Sequence, residues 1–239
     1  MVREVNDSTL FDIDSSLTTL AHELKSPLAL IRQLSLLIDS DLDPVTLDRV
    51  ASQLRFTSDR TLKLVSDLTR AARLEDAMFE MAPINPRRIC DDVLYFMQPA
   101  YKLKGSSLKV DYSNQQKLIV ANQELLSSII YNFCDNALNY SSDDSPASLF
   151  IRSAEDSKVR IGVRDHGPCL PLSVWRDIKR HGQVLTPQPI QARPGSSGLG
   201  LYIISRFAQA MCGQLGAIRH RDGTTLYIDL PVSNQLSML

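Results

Sequence analysis

Apolar residues near the start of the chain recur at alternating spacings of three and four positions. This spacing, which places Pro27 at one of the apolar positions, predicts a helix with a single apolar seam. Turn-forming residues then lead to Pro44, which suits the first turn of a second helix with Asp43 as its cap. The second helix repeats the spacing, so the two predict an antiparallel hairpin. The seams consist of Leu17, Leu20, Leu24, Ile31, Leu34 and Ile38, and of Leu47, Val50, Leu54, Thr57, Thr61, Leu64, Leu68 and Ala71.

Further apolar residues flank both seams of the predicted hairpin. They are Leu28, Leu37, Leu62 and Val65. Two helices alone have little core in which to bury so wide an apolar surface. We therefore expect two hairpins to form a four-helix homodimer, although a hairpin that packs on the rest of its own chain is the alternative.

The pattern changes at about residue 80, where helical and strand-like spacings begin to alternate. Phe79–Pro86 indicates a linker or short strand, and helices are predicted at Pro86–Lys104, from Asn122 to Leu138 and at Leu199–Met211. Strands are predicted at Ser107–Tyr112, Lys117–Val120, Ala147–Arg152, Lys158–Asp165, Leu215–Arg219 and Thr224–Leu230. The expected fold is an α-helical hairpin, residues 1–78, followed by an α/β sandwich, residues 79–239.

Composition narrows the class of protein. Hydrophobic residues make up 44% and charged residues 22% of the 239 residues, which excludes a disordered chain. The near-neutral balance of 26 Lys+Arg and 27 Asp+Glu does not favour nucleic-acid binding. No apolar run is long enough to cross a bilayer, and the polar, acidic N-terminus does not resemble a signal peptide. We expect a cytoplasmic protein whose four cysteines, with no CxxC pair and with apolar neighbours, are buried reduced thiols.

One histidine of the predicted first helix has a position at which it could take part in chemistry. His22 lies two positions past Leu20, off the apolar seam and beside Glu23, where an imidazole can act as a nucleophile or a base. Pro27 removes the backbone hydrogen bond to the Glu23 carbonyl and should kink the helix nearby. Most exposed helical histidines have no function, and the helix could instead begin near Ser26.

Residues 21–28, Ala-His-Glu-Leu-Lys-Ser-Pro-Leu, resemble the phosphoacceptor box of sensor histidine kinases. The second half resembles the ATP-binding domain that this family shares with Hsp90, MutL and topoisomerase ATPases. Four segments carry that resemblance in order: Asn132–Tyr140, Val163–Pro171, Gly195–Leu201 and Asp222–Pro231. Because it covers about Leu17 to Pro231, it implies an ATP-dependent, Mg²⁺-requiring kinase. This kinase would pass a phosphoryl group from its histidine to an aspartate of a response regulator.

The same resemblance assigns roles around the phosphoacceptor. It implies that His22 attacks the γ-phosphate through Nε2 and that Glu23 accepts a hydrogen bond from Nδ1–H. Ser26 stands where the family commonly has Thr or Asn, a residue associated with orienting water in the phosphatase reaction. A small residue before a proline is the alternative explanation for this serine.

The nucleotide-binding residues follow in the same way. By resemblance they are Asn132, Asn136, Tyr140, Asp165, Gly167, Gly195, Gly198, Leu199 and Gly200. Asn136 would be the direct Mg²⁺ ligand with Asn132 in support, and Tyr140 would pack near adenine. A buried Asp165 would accept a hydrogen bond from the adenine amino group, and Gly167 would let the backbone approach. The glycine loop and the helix end after it would hold the phosphates.

Three departures from the family pattern affect this prediction. Asn139 replaces a Lys or Arg, Cys169 replaces a Gly, and only Val174-Trp175 approaches the expected phenylalanine-rich box. The missing cation could come from Lys102, Lys104, Arg164 or Arg193, and Lys179–Pro194 is expected to be a mobile lid. Besides an active kinase, two alternatives therefore stay open. One is a degenerate kinase acting as a phosphatase or dimerising regulator, and the other is an ATPase of the wider superfamily.

Overall fold

The computed structural model describes residues 21, 24–38, 42–74, 79–113, 117–141, 145–155, 157–184 and 199–234. The chain divides into two compact units, Met1–Thr69 and Arg70–Leu239. Several predicted features lie outside the described residues, namely Leu17, Leu20, His22, Glu23, Arg193, Gly195 and Gly198. Among the described helices, none has both the length and the apolarity that a bilayer-crossing segment needs.

Two helices dominate the first unit. Residues 24–36 form α1, and Pro44–Ala72 form α2. The carboxylate of Asp43 accepts hydrogen bonds from the backbone N–H groups of Val45 and Thr46, each at 3.0 Å, as an N-cap does. Hydrogen bonding, above all with Thr46, lowers the pKa of Asp43 below its ordinary value. The predicted cap before Pro44 is therefore confirmed.

Burial in these helices follows the predicted seams only in part, because the seam residues Ile38 and Leu47 are 47% and 38% exposed. Leu34 on α1 and Val50, Thr57 and Thr61 on α2 are buried. The flanking residues Leu28, Leu37, Leu62 and Val65 are 53%, 56%, 68% and 44% exposed. An apolar surface beside the seams is thus left open to solvent.

The second unit is built on a five-stranded sheet with the order β2-β4-β5-β7-β6. Its strands are β2 (Leu108–Tyr112), β4 (Ala147–Ala154), β5 (Lys158–Arg164), β6 (Gln214–His220) and β7 (Gly223–Pro231). Only the β2–β4 pair is parallel, and the other neighbours are antiparallel. Strands β1 (Ala82–Ile84) and β3 (Ile119–Ala121) form a separate antiparallel pair.

Helices cover one face of the sheet and form the core with it. They are α3 (Pro86–Leu103), α4 (Gln123–Tyr140) and α6 (Leu199–Ala210), and α4 packs between the other two. Phe133 and Phe207 are fully buried in this layer, as is Ile161 from β5. Alternation along β5 buries every second side chain toward the helices, which is why its apolar-polar pattern was recognisable from the sequence. The expected α/β sandwich is confirmed.

One helix was missed, and it shortens the predicted lid. Leu172–His181 form α5, which Gly182 ends in the left-handed region at φ 65°. The prediction of an irregular Lys179–Pro194 was wrong for residues 179–181, which form the last helical turn, while residues 185–194 lie outside the described residues. Trp175 anchors α5 because its indole Nε1 donates to the Ala217 carbonyl of β6 at 3.1 Å.

The cysteines only partly match expectation. Cys90 and Cys134 are buried and reduced, and desolvation raises the pKa of both thiols. Cys169 is half-buried, whereas Cys212 is exposed, so the prediction of four buried thiols was wrong. Cys212 follows α6 at φ 53°, in the turn that ends the helix, which places its side chain outside the apolar layer.

Candidate functional site

One face of α4 differs from the rest of this buried helix. Asn122 caps it by accepting hydrogen bonds from the N–H groups of Glu124 and Leu125, each at 3.1 Å. In the C-terminal half most side chains are buried, but Asn132, Asn136 and Tyr140 are only half-buried. Because these positions are four residues apart, they form one partly open polar stripe along the helix.

The start of α6 lies beside the first residue of this stripe. The Nδ2 of Asn132 donates to the Ser128 carbonyl at 2.9 Å, and a Cβ added to Gly200 would lie 3.5 Å from Asn132 Oδ1. Leu199 is buried and packs the helix start into the core. The N–H groups of a first helical turn point out of the helix and attract anions. The stripe and the helix end therefore border the same space.

A buried carboxylate follows strand β5. Asp165 is 3% exposed, and its Oδ1 accepts hydrogen bonds from the N–H groups of Gly167 at 3.1 Å and Thr224 at 3.0 Å. Its own N–H donates to the Thr224 carbonyl at 2.9 Å. The carboxylate is therefore fixed in position by the loop that follows β5 and by strand β7.

Gly167 joins this loop to the end of α4. A Cβ at this position would lie 1.9 Å from the carbonyl oxygen of Tyr140 and 2.6 Å from its carbonyl carbon. Only glycine allows that approach, which supports the sequence argument for a close backbone contact here. Residues more than twenty positions apart are thus brought together, and Tyr140 borders the Asp165 loop.

The substituted position Asn139 carries no cation, and its side chain bonds to its own helix. Its Nδ2 donates to the Asp135 carbonyl at 2.8 Å. Among the proposed replacements, Lys104 reaches the end of α4, where its ammonium group donates to the Leu138 carbonyl. The Arg164 guanidinium instead binds the Asp165 carbonyl and the Asp222 carboxylate.

The turn between β6 and β7 belongs to the site, although the sequence indicated only a structural hairpin. Thr224 bonds to Asp165, and the thiol of Cys169 donates to the His220 carbonyl at 2.8 Å, so the turn also accommodates the cysteine that replaces a glycine. No spacing rule relates residues 165 and 224. The signal that was available is the Gly-Thr pair that begins a strand late in the chain.

The donors on the open stripe suit a hard cation. Among the described residues, no group of three His, Cys, Asp or Glu side chains is close enough to hold a metal ion. The stripe offers the carboxamide oxygens of Asn132 and Asn136 instead. Mg²⁺ accepts one or two protein oxygens and completes its octahedron with water and phosphate oxygens, so these residues fit that ion.

Known proteins share both the sequence pattern and the fold. Residues 121–234 match the family described as Histidine kinase-, DNA gyrase B-, and HSP90-like ATPase. The adaptive-response sensory kinase SasA of Synechocystis sp. is 25% identical over an alignment of 233 residues that covers 92% of this chain and 59% of that protein. The structure of full-length ShkA, solved in complex with AMPPNP, matches this chain with a TM-score of 0.61 at 25% identity. The match covers 94% of this chain and 47% of the ShkA chain.

A third similarity concerns the fold alone. The histidine kinase ThkA, solved in complex with the response regulator protein TrrA, has a TM-score of 0.63 at 15% identity. That match covers 95% of this chain and 64% of the other. The chain therefore spans little more than half the length of SasA, and likewise only part of the longer proteins whose structures it resembles.

Proposed function

We propose that the chain is a sensor histidine kinase catalytic core, which is supported by the match of residues 121–234 to the HSP90-like ATPase family and by the similarity to named sensor kinases. It is proposed to phosphorylate His22 from ATP and to pass the phosphoryl group to an aspartate of a response regulator. The observation that carries the proposal is the convergence of three separate segments. The end of α4, the Asp165–Gly167 loop and the start of α6 border one space, with Tyr140 in contact with Gly167.

Each segment supplies the chemistry that one part of ATP needs. The Asp165 carboxylate, buried and held by two N–H groups, recognises the adenine amino group, and Tyr140 packs beside the base. Guanine has a carbonyl oxygen where adenine has the amino group, so it would set an acceptor against the buried carboxylate, and this contact therefore favours adenine over guanine. Gly200 and the first turn of α6, with Gly195 and Gly198, hold the phosphates.

Asn136, with Asn132 beside it, would hold Mg²⁺. The bound ion would neutralise charge on the phosphate oxygens. Because Asn139 brings no charge, Lys104, whose ammonium group donates to the Leu138 carbonyl near the end of α4, is proposed as the replacing cation. That assignment would supply the charge that the family pattern has at position 139.

Phosphoryl transfer itself occurs at the first helix. His22 Nε2 attacks the γ-phosphorus while the bond from that phosphorus to the bridging oxygen breaks, and ADP leaves with that oxygen. Glu23 accepts a hydrogen bond from Nδ1–H, which keeps Nε2 unprotonated for attack and stabilises the charge that develops on the ring. The phosphoryl group then moves from nitrogen to a carboxylate oxygen of the receiver. Ser26, four residues later in the sequence, orients the water that dephosphorylates the regulator.

The hairpin is proposed to form a homodimer. The exposed apolar residues beside the seams provide the surface that a second hairpin would cover, as in a four-helix bundle. They are Leu28, Leu37, Leu62 and Val65. The response regulator as partner is supported by the named kinase relatives and by the ThkA structure, which was solved with such a protein.

The activity is tested by incubating the protein with Mg²⁺ and γ-labelled ATP. We expect label that is acid-labile and base-stable, as phosphohistidine is, and its absence in His22→Gln. His181→Gln is the matched control, since His181 is an exposed histidine on α5 and should keep full labelling. Asn136→Ala should lose labelling together with the Mg²⁺ dependence of ATP binding.

The outcomes separate the remaining alternatives. Binding of ATP without any label would support a degenerate kinase, an option that the uncharged Asn139 keeps open. Steady phosphate release that is indifferent to His22→Gln would indicate an ATPase of the wider superfamily and overturn the proposal.

A further inference from the structure

A carboxylate on the β6–β7 turn binds the residues on both sides of Asp165. Asp222 Oδ1 accepts a hydrogen bond from Arg164 Nη2 at 2.7 Å, and Asp222 Oδ2 lies 2.9 Å from His166 Nδ1. Arg164 and His166 are the immediate neighbours of Asp165 in the chain. One side chain therefore spans the short segment whose middle residue is the candidate adenine ligand.

Two further contacts make this turn rigid against the segment. Arg164 also donates to the Asp165 carbonyl. Gly223, at φ 147°, lies so close that an added Cβ would be 2.1 Å from that same carbonyl oxygen. The turn thus holds the backbone of Asp165 from one side while Thr224 N holds its Oδ1 at 3.0 Å.

We propose that Asp222 is a positioning residue for nucleotide recognition. By bridging Arg164 and His166, it fixes the backbone on which the Asp165 carboxylate is aimed at the adenine amino group. This inference rests on the proposed ATP site and adds a residue to it. Asp222 does not touch the nucleotide in this scheme, so it acts only through its two partners.

Because Asp222 is exposed, its bridge to Arg164 and His166 contributes little to folding stability. Its effect on nucleotide recognition can therefore be measured apart from any effect on folding. The Asp222 side chain is 63% exposed although Arg164 is only 19% exposed, and an ion pair with one partner so open to water usually contributes little to folding. Geometry is more sensitive, because a carboxylate displaced by part of an ångström loses a directional hydrogen bond. The expected loss in ATP affinity for Asp222→Ala is about fivefold, as for hydrogen bonds to charged groups at a partly exposed site.

The test compares Asp222→Ala with Asp111→Ala. Asp111 pairs with Arg152 at 2.6 Å on the same sheet, and its side chain is 62% exposed, so it is a paired carboxylate as exposed as Asp222 but outside the site. ATP and GTP affinities are measured for each variant by competition with a fluorescent ADP analogue. Asp222→Ala should lower ATP affinity and reduce the preference for ATP over GTP, whereas Asp111→Ala should change neither. Asp222→Asn, which retains one acceptor oxygen, should fall between wild type and Asp222→Ala.

A second readout does not require nucleotide binding. Amide hydrogen exchange at Gly167, whose N–H donates to Asp165 Oδ1, should accelerate in nucleotide-free Asp222→Ala and not in Asp111→Ala. If the wild-type protein binds no ATP, the proposed function fails while exchange still decides the positioning role. Equal ATP preference and equal Gly167 exchange in the two variants would overturn the inference.

Discussion

Replacing Gly167 with alanine tests the closest backbone contact of the site. The added Cβ would lie 1.9 Å from the Tyr140 carbonyl oxygen, whereas ordinary contacts of this kind begin at 3.4 Å. The loop and the end of α4 must therefore separate by about 1.5 Å, because close-packed backbone has no void to absorb the methyl group. Tyr140 O and its neighbours are helix backbone, so no side-chain rotation relieves the clash.

The magnitude follows from that displacement. Overpacking of this kind costs about 1–3 kcal/mol of folding free energy. For a nucleotide held between Asp165 and Tyr140, a shift above 1 Å is expected to reduce affinity about a hundredfold, because recognition depends on simultaneous contacts. The Gly167→Ala protein should therefore stay folded but bind ATP very weakly.

The assay pairs thermal unfolding with nucleotide titration, and Gly216→Ala is the control. A Cβ at Gly216 would lie 2.1 Å from the Tyr227 ring, which must shift to admit it, and neither residue is one of the nucleotide residues. Both variants should lower Tm, and only Gly167→Ala should lose ATP binding. Near-wild-type ATP affinity in Gly167→Ala would refute the reasoning, as would equal loss in both.

Three further predictions concern the rest of the chain. In native protein, a thiol reagent at pH 8 should label the exposed Cys212 within minutes and leave the buried Cys134 unreacted until denaturant is added. The reason is that only thiolates react, and burial raises the pKa of the Cys134 thiol. Equal labelling rates for the two cysteines would contradict this prediction. Tyr101 donates to the Cys134 carbonyl at 2.8 Å, and burial raises its pKa, so its contribution to stability is present below the unfolded value of about 10 and is lost as pH rises above it. Tyr101→Phe should cost about 1 kcal/mol at pH 7 and flatten the fall in stability above pH 10, measured by urea unfolding, and an unchanged pH slope would count against the assignment. The buried hydroxyls of Thr57 and Thr61 donate to carbonyls one turn back in α2, at 2.8 and 2.7 Å. Replacing both residues with Val should therefore raise the Tm, measured by circular dichroism. A lower Tm would show that these hydroxyls are needed for stability.

Local patterns in the sequence were enough for most elements. The cap at Asp43, the cap at Asn122 and the alternation along β5 depend on neighbours within a few residues, and each was correctly predicted. The helix α5 was missed because it has no side-chain cap and lies on the sheet edge, where its contacts are made with distant residues such as Ala217. Cys212 was misplaced because its exposure depends on the turn that ends α6.

The candidate site divides in the same way. Residue types and spacing within single segments determined the Asn132–Tyr140 stripe and the Asp165–Gly167 loop, since one helix face or one strand end places them. Only the tertiary structure decided that Gly167 touches Tyr140, that Thr224 holds Asp165, and that Asp222 spans its neighbours. Those contacts join residues far apart in the chain, and they depend on the strand order that sets β7 beside β5. Sequence spacing encodes the faces of single elements, whereas packing decides which faces meet.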